Sequence, residues 1–456
     1  MNTETRAPLR FFTALRFWHR LGWLSFGGPA GQIAMMHEEL VQRQRWISER
    51  RFLHALNYCM VLPGPEAQQL ATYIGWLMHG TRGGVAAGVL FVLPALLVLI
   101  VLSWLYMAYG QLPLTRGVLY LVKPVVLAIV LQAAWRIGSR TLHNHALRAL
   151  ALAAFALSAL GWLPFPALVG LAALCGWLGG RLAPAYFQGA GGHASKAHAA
   201  QGGPAPWIDD DTPPPAHARF APARLLRLSL VCGLLWAAPL ALLTAYFGWQ
   251  HDYPQMAWFF TKAALLTFGG AYAVLPYVYQ GAVLHYGWLA PQQMMDGLAL
   301  GESTPGPLII VVAFVGFVGG YGKLLLGAAH PLAAGVLAAC LVTWLTFLPS
   351  FFFILAGGPL VERSRDDLQL QAPLRAISAA VVGVILNLAC FFALHLLWPA
   401  RAPGAWPDAH PDWLALGLSV AALLALLRFG RSVLQVLLLA ALAGVLLSLA
   451  GWQPPY

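Results

Sequence analysis

Long apolar runs, separated by short breaks rich in polar residues, glycine or proline, follow one another along almost the whole chain. An α-helix needs about 20 predominantly apolar residues to cross the hydrocarbon core of a bilayer. The pattern therefore predicts an all-α polytopic membrane protein with about thirteen helical segments. The predicted segments are 10–42, 52–80, 84–109, 117–138, 146–161, 163–180, 223–247, 256–285, 292–320, 331–356, 373–398, 412–428 and 431–450.

Residues 183–222 interrupt the pattern because they are rich in Gly, Ala, Pro and His. This composition buries little surface and predicts a flexible linker. The linker contains His193, His198 and His217, but their irregular spacing gives only weak support for a metal site. The apolar run that follows, within 223–254, is predicted to be a connecting transmembrane helix.

The sequences on the two sides of the linker repeat each other with an offset of 242 residues, as between Gly27 and Gly269. Later in the repeat the offset becomes 255, which indicates an insertion in the second half. We therefore predict two related domains, residues 1–182 and 255–456, as in many secondary transporters. The matching pairs are Phe26-Gly27-Gly28 with Phe268-Gly269-Gly270, Trp46 with Trp288, Pro63-Gly64-Pro65 with Pro305-Gly306-Pro307, Pro94 with Pro349, and Gln132 with Asn387.

Basic residues have opposite distributions in the two halves. Four arginines lie in 43–51 and three in 136–148, whereas the equivalent segments 284–293 and 399–411 contain none and one. Because Lys and Arg concentrate in cytoplasmic loops, the halves are predicted to be inverted relative to each other. The N-terminus and the linker are then predicted to be cytoplasmic and the C-terminus periplasmic.

The same distribution leaves three segments between two loops that are both predicted to be cytoplasmic, and three full crossings cannot return to one side. Pro-Gly-Pro breaks a helix, so the segment that contains Pro63-Gly64-Pro65 is predicted to be a broken or re-entrant hairpin buried in protein. Its repeat at Pro305-Gly306-Pro307 and the segments broken by Gly-Gly are predicted to behave in the same way.

Composition supports lipid as the main solvent, since 59% of residues are hydrophobic and only 9% are charged. The net charge of +11 is better explained by cytoplasmic loops than by nucleic acid, because the basic residues are scattered. The five cysteines lie in apolar runs without a CxxC pair, and no cleavable signal peptide is recognised at the N-terminus. No metal or other cofactor is predicted.

The four breaks are the strongest candidates for chemistry. Each starts a new helix within an apolar segment, and a helix N-terminus offers free N–H groups and a positive dipole to an anion. The alternative is that the breaks are packing kinks; their recurrence in both halves favours a site. The candidate anion-binding residues are Ser25, Gly27, Gly28, Asn57, Pro63, Gly64, Pro65, Gln68, Thr267, Gly269, Gly270, Ser303, Thr304 and Gly306.

Charged residues near the breaks extend this candidate site. Arg20 and Lys262 precede the two Phe-Gly-Gly motifs by six positions each and are candidates to bind the anion, although snorkelling to the interface is an equal alternative. Glu66 and Glu302 are candidates for protonation coupled to transport, whereas Glu66 also suits a helix start for electrostatic reasons alone. Lys123 lies in an apolar span, where snorkelling is the favoured interpretation.

The long stretches FGGPAGQIAMMHEELVQRQRWISERRFLHALNYCMVLPGPEAQQLATYIGW, LTFGGAYAVLPYVYQ and DGLALGESTPGPLIIVVAFVGF are specific. They resemble the signature regions of the chromate ion transporter family in its long, two-domain form. The resemblance covers both halves but not the linker or the tail. It implies a bacterial inner-membrane protein that exports chromate and confers resistance, with sulfate as an analogue and two halves in opposite orientations. The expected partners are the anion and the lipid bilayer, and the chain could form a homodimer.

Other functions remain open from the sequence. Uptake or exchange of sulfate or another oxyanion is one, and an anion channel is another. A membrane enzyme is disfavoured because no Walker A, HExxH or GxSxG motif occurs.

Overall fold

A computed structural model describes residues 10–183, 206–210, 212, 215–268, 270–362, 371–398 and 410–454. Within these ranges the chain is almost entirely helical. The helices are α1 (Phe11–Leu24), α2 (Gly28–His37), α3 (Glu49–Val61), α4 (Glu66–Tyr109), α5 (Pro113–Thr141), α6 (His145–Ala159), α7 (Phe165–Leu182), α8 (Pro222–Phe247), α9 (Asp252–Leu265), α10 (Ala271–Tyr279), α11 (Pro291–Ser303), α12 (Val311–Gly322), α13 (Pro331–Val361), α14 (Gln371–Leu397), α15 (Trp413–Leu427) and α16 (Val433–Leu449).

Six described helices are long and apolar enough to cross a bilayer, which agrees with the predicted all-α polytopic membrane protein. Shorter apolar helices accompany them at His145–Ala159, Leu308–Gly322, Trp413–Leu427 and Val433–Leu449. The six long spans are Glu66–Tyr109, Pro113–Thr141, Phe165–Leu182, Pro222–Phe247, Pro331–Pro359 and Ala372–Leu397.

The helix α4 is two antiparallel legs rather than one rod. His79 and Gly80 have non-helical backbone angles, and Gly80 has φ +65°. Gly75 lies against Gly83 and Ala87, although eight residues of straight helix would separate Gly75 from Gly83 by about 12 Å. We call the legs α4a (66–78) and α4b (81–109). Glycines at this contact allow the two backbones to approach closely.

Two helical hairpins of the first half enter from the same end of the bundle. We call it the linker end, because Trp207 lies there, with its ring 6.4 Å from that of His79. Helix α1 starts there, since Phe11 also packs on His79, and ends inside the bundle, where Gly22 lies against Pro94 of α4b. Helix α2 then returns. The second hairpin is α3 and α4a, with Pro63-Gly64-Pro65 at its tip.

Two hairpins of the second half enter from the opposite end, the C-terminal end, where Trp452 packs on Tyr120. The first is α9 and α10, and the second is α11 and α12, with Pro305-Gly306-Pro307 at its tip. Their outer ends meet: Asp252 accepts a hydrogen bond from Trp288 at 2.7 Å and forms an ion pair with Lys323 at 3.2 Å. The Pro-Gly-Pro loops are therefore tips of hairpins inside the bundle. That these hairpins are re-entrant in the membrane stays a prediction.

The order of elements in the two halves is the same. Helix α2 continues into a π-helical turn over Glu38–Arg43, and α10 does so over Gln280–His285, again 242 residues later. Helix α3 spans Glu49–Val61 and helix α11 spans Pro291–Ser303, so both bounds differ by the same 242 residues. The domain boundaries 1–182 and 255–456 stay a prediction.

Part of the predicted linker is docked rather than free. Ile208 forms a parallel bridge with Ile47, its N–H donates to Trp46 O at 2.9 Å, and Ser48 N–H donates to Ile208 O at 2.9 Å. Further along, His217 Nε2 lies 2.8 Å from Trp76 O, and burial lowers the pKa of His217. His193 and His198 lie outside the described residues. Helix α8, the predicted connecting helix, has no buried residue and packs at the periphery.

Candidate functional site

Two backbone hydrogen bonds join the hairpin tips of each half to the other half, and the two bonds are equivalent in the repeat. Gly64 N–H donates to Thr267 O at 2.8 Å, and Gly306 N–H donates to Ser25 O at 2.9 Å. Each bond joins a Pro-Gly-Pro tip of one half to the Gly-Gly break of the other. All four sequence breaks therefore meet in one region of the bundle.

Both tip glycines have backbone angles that favour glycine, with φ +127° at Gly64 and +95° at Gly306. They also lack room for a side chain. A Cβ at Gly64 would collide with Ser350 of α13 and with the Gln69 amide, and a Cβ at Gly306 would collide with Ala95 of α4b. Ala95 and Ser350 are themselves related by the 255-residue offset. The tight approach of each tip to the opposite half is thus repeated.

Three glutamines line this crossing and are fully buried: Gln32, Gln68 and Gln69. Gln32 Nε2 donates to Ser25 O at 3.1 Å and to Gly306 O, so it joins both halves. Gln69 Nε2 donates to Pro63 O at 2.7 Å, and Gln68 Nε2 donates to Thr72 Oγ1 at 3.0 Å. Each Oε1 lacks a hydrogen-bond partner among the described residues.

Buried polar atoms are normally satisfied in proteins. These three are acceptors, so a donor such as water satisfies them and an oxyanion does not. Sequence reasoning selected Gln68 and its neighbour Gln69 but missed Gln32. The signal of Gln32 is a lone amide within an apolar helix, since Val274 occupies the equivalent position of the second half.

The helices that begin at the breaks have open N-termini. No side chain caps α2, α4, α10 or the 3-10 turn Leu308–Ile310 that leads into α12, whereas Ser48 caps α3. Beside Gly27, Gly28 and Gly270 no atom lies within 4 Å of an added Cβ. These glycines have φ +93°, +71° and +97°, and Gly269 lies outside the described residues. The first turns of α2 and α10 therefore begin beside open space. Within α10, Ala273 N–H donates to Gly270 O at 3.1 Å.

The hydroxyls predicted for the site bond to their own helices. Thr267 Oγ1 donates to Ala263 O at 2.7 Å, and Ser25 Oγ to Gly22 O at 3.4 Å. The same holds in α11, where Ser303 and Thr304 donate to carbonyls three residues earlier, at 2.9 and 2.8 Å. In this conformation they offer lone pairs, not hydrogens. Gly64 and Gly306 likewise use their N–H groups between the halves, so the donors that are left here are first-turn amides of α2 and α10.

Two carboxylates flank the tips. Glu302 precedes Pro305 by three residues and is buried. It accepts a hydrogen bond from Tyr272, the second residue of α10. Glu66 is the first residue of α4a and is partly exposed. Tyr272 was not identified from the sequence, because it does not recur in the other half.

Three other candidates lie away from the tips. Arg20 is exposed, because the buried face of α1 is formed by Ala14, Trp18, Leu21 and Gly22. Lys262 lies 5.7 Å above the ring of Trp258, which is itself 37% exposed. Asn57 is on the exposed face of α3. These placements agree with the snorkelling alternative for the two cations.

Two cation–carboxylate–tyrosine clusters join the halves at opposite ends of the bundle. At the linker end, Glu362 lies 3.9 Å from Arg51 and accepts a hydrogen bond from Tyr73 at 2.6 Å. At the C-terminal end, Asp296 lies 3.6 Å from Lys123 and accepts a hydrogen bond from Tyr106 at 3.0 Å. Because Lys123 lies beside Asp296, the structure does not agree with the interpretation that Lys123 snorkels to the interface. The sequence did not reveal either cluster, because each carboxylate is far from its partners along the chain.

Comparisons with known proteins agree with this architecture. The profile of the family described as "Chromate transporter" matches residues 12–177 and 254–445. A chromate transport protein of Pseudomonas aeruginosa is 33% identical over 98% of this chain and 92% of its own length. A chromate transport protein of Cupriavidus metallidurans is 28% identical over 80% and 78%. An uncharacterized transporter of Methanocaldococcus jannaschii is 24% identical over 84% of each chain.

No solved structure matches the chain. The family profile nevertheless covers both halves and leaves out the whole linker, the connecting helix α8 and the last residues. The two matched ranges contain the hairpins of both halves whose tips meet. The chain therefore belongs to the chromate transporter family.

Proposed function

We propose that this protein is a secondary transporter that exports chromate across the bacterial inner membrane and thereby confers chromate resistance. The oxyanion binds between the crossed tips, against the first turns of α2 and α10. The reciprocal hydrogen bonds Gly64 to Thr267 and Gly306 to Ser25 are the observation that carries the proposal, because they bring all four breaks together.

A tetrahedral dianion suits this place for electrostatic reasons. Helix N-termini carry roughly half a positive charge each from aligned peptide dipoles, and their free N–H groups are donors to oxyanions. In discontinuous helices near the middle of a transporter, such N-termini are a recurrent way of binding anionic groups. Chromate and sulfate share charge and shape, so sulfate is expected to compete.

The arrangement of hairpins supports alternating access. Hairpins of the first half enter from the linker end and those of the second half from the C-terminal end, as expected for inverted repeats. With the basic loops in the cytoplasm, the linker end is cytoplasmic and the C-terminus periplasmic. Movement of one set of tips past the other would then expose the site to one side at a time.

Glu66 and Glu302 are proposed to couple transport to protons. Each lies beside a tip, where a carboxylate close to a bound dianion is strongly disfavoured unless it is protonated. Proton uptake at either carboxyl group would therefore accompany anion binding, so protons would leave the cell together with chromate. The membrane potential, negative inside, would then supply the energy for export of the dianion. Tyr272 donates to Glu302 and holds this carboxyl group in place.

Flux of chromate into everted vesicles from cells that express the protein tests the proposal. Entry is expected to saturate with chromate concentration, to depend on an imposed proton gradient or membrane potential, and to fall when sulfate is added. Flux only out of everted vesicles would instead indicate uptake in the cell. Non-saturating flux in both directions would indicate a channel.

A further inference from the structure

A cavity of about 650 Å³ opens at the C-terminal end of the bundle, apart from the crossed tips. It lies where the ends of α4b and α14 meet the starts of α5 and α11. Among the polar side chains that line it are Tyr106, Arg116, Tyr120, Lys123, Asp296 and His395. Both halves contribute to its wall, so a ligand here would contact each of them.

The cation–carboxylate–tyrosine cluster of this end forms part of the cavity wall. Asp296 is 3% exposed, and its Oδ1 has no hydrogen bond among the described residues but lies 3.6 Å from Lys123 Nζ. The other carboxylate oxygen accepts from Tyr106. This separation is longer than the roughly 2.8 Å of a charge-assisted hydrogen bond, so Lys123 is near Asp296 without being locked to it.

Arg116 adds a second cation to the wall, and its Nη2 donates to Gln111 Oε1 at 2.5 Å. Only one of the guanidinium donors is used in that bond, so others remain for a ligand. Two cations face one carboxylate here, which favours an anion. Arg116 is on the first turn of α5 and Lys123 two turns further along the same helix, so both reach the same space.

The equivalent cluster at the linker end is covered. Arg51 Nη2 donates to Thr212 O at 2.6 Å, and Ser48 Oγ donates to Asp210 at 2.6 Å, so residues 206–210 and 212 lie over Arg51. Arg51 and the Glu362 side chain are each less than 10% exposed. The charged cluster is therefore accessible at the C-terminal end and closed at the linker end.

We propose that this cavity is a second oxyanion site, in which Arg116 and Lys123 bind a tetrahedral dianion and Asp296 holds Lys123 when the cavity is empty. The proposal rests on the proposed function, because it makes the cavity the place through which the anion passes between the tips and the C-terminal side. When the anion binds, Lys123 leaves Asp296 and pairs with the anion. When the anion leaves, Lys123 pairs with Asp296 again.

Equilibrium binding of radiolabelled sulfate to the full-length protein in nanodiscs tests the second site. Sulfate is the probe because chromate oxidises thiols and this chain has five cysteines. The wild type is expected to bind two ions per chain. Arg116→Gln and Lys123→Gln should each weaken one of them at least tenfold, since a charge-assisted hydrogen bond is worth about 1.5–3 kcal/mol. Arg140→Gln, an equal charge change at the linker end, should change neither.

Asp296→Asn separates binding from folding. Asparagine keeps the shape and the bond from Tyr106 but releases Lys123, so sulfate affinity at this site should rise several-fold. Wild-type binding in both Arg116→Gln and Lys123→Gln, or weaker binding in Asp296→Asn, would overturn the proposal. Because binding is measured without flux, one ion per chain that is lost in Lys123→Gln would support the cavity while counting against the site at the tips.

Discussion

Gly64→Ala is expected to abolish chromate flux in everted vesicles. The residue has φ +127°, and its N–H makes the bond to Thr267 of the other half. A non-glycine residue in a disfavoured backbone region costs about 1–3 kcal/mol, and the new Cβ would also collide with Ser350 and Gln69. The tip must therefore move, and the bond between the halves is lost. Flux should be measured beside the melting temperature.

Matched variants show whether the tip itself is responsible. Gly170→Ala and Gly233→Ala lie in helices α7 and α8, where an added Cβ meets no atom within 4 Å, and both should transport normally. Gly306→Ala should repeat the loss, because its Cβ collides with Ala95. Adding Ala95→Gly should restore part of that loss. Wild-type flux in both Gly64→Ala and Gly306→Ala would contradict the role of the crossed tips.

Glu302→Gln is expected to lower chromate accumulation in everted vesicles at least tenfold and to remove its dependence on an imposed pH gradient. Glutamine has the shape of glutamate and still accepts a hydrogen bond from Tyr272, so local packing should persist. It cannot take up or release a proton, so coupling through this position is lost. The measurement is the initial rate of flux into vesicles across a series of imposed pH gradients.

Tyr272→Phe is the control that changes how the Glu302 carboxyl group is held without removing its ability to take up a proton. It removes the donated hydrogen bond but keeps the carboxyl group, so flux should fall while its dependence on the pH gradient persists. Glu66→Gln should reproduce the effect of Glu302→Gln in weaker form, because Glu66 is partly exposed. An unchanged pH dependence in the double variant of Glu66 and Glu302 would remove both residues from the coupling mechanism.

The hairpins were predictable because their causes are local. Pro-Gly-Pro cannot continue a helix, and the Arg distribution required an even number of crossings where three segments stood. The recurrence of the breaks led us to expect that the four helix starts converge at the interface of the halves. The backbone groups that pair there were not predictable, because the pairing depends on long-range packing. Gly64 and Gly306 therefore stood out in the sequence, but their N–H groups were assigned to an anion rather than to Thr267 and Ser25.

Charged residues illustrate a second limit. Arg20 and Lys262 recur at equivalent positions, yet helical periodicity places Arg20 on the exposed face of α1. Asp296 has no carboxylate equivalent in the first half, where His54 is found, so the repeat gave it no weight. The docked linker segment had one local signal, the apolar pair Trp207 and Ile208 within a polar stretch.

Anomalous diffraction at the chromium edge, from crystals of the protein grown with chromate, tests the central claim most directly. A chromium peak is expected between the crossed tips, with oxyanion oxygens at about 3 Å from first-turn amides of α2 and α10. A second peak beside Arg116 and Lys123 would mark the cavity. Chromium peaks only at the surface or in the cavity, with none between the tips, would contradict binding at the crossed tips.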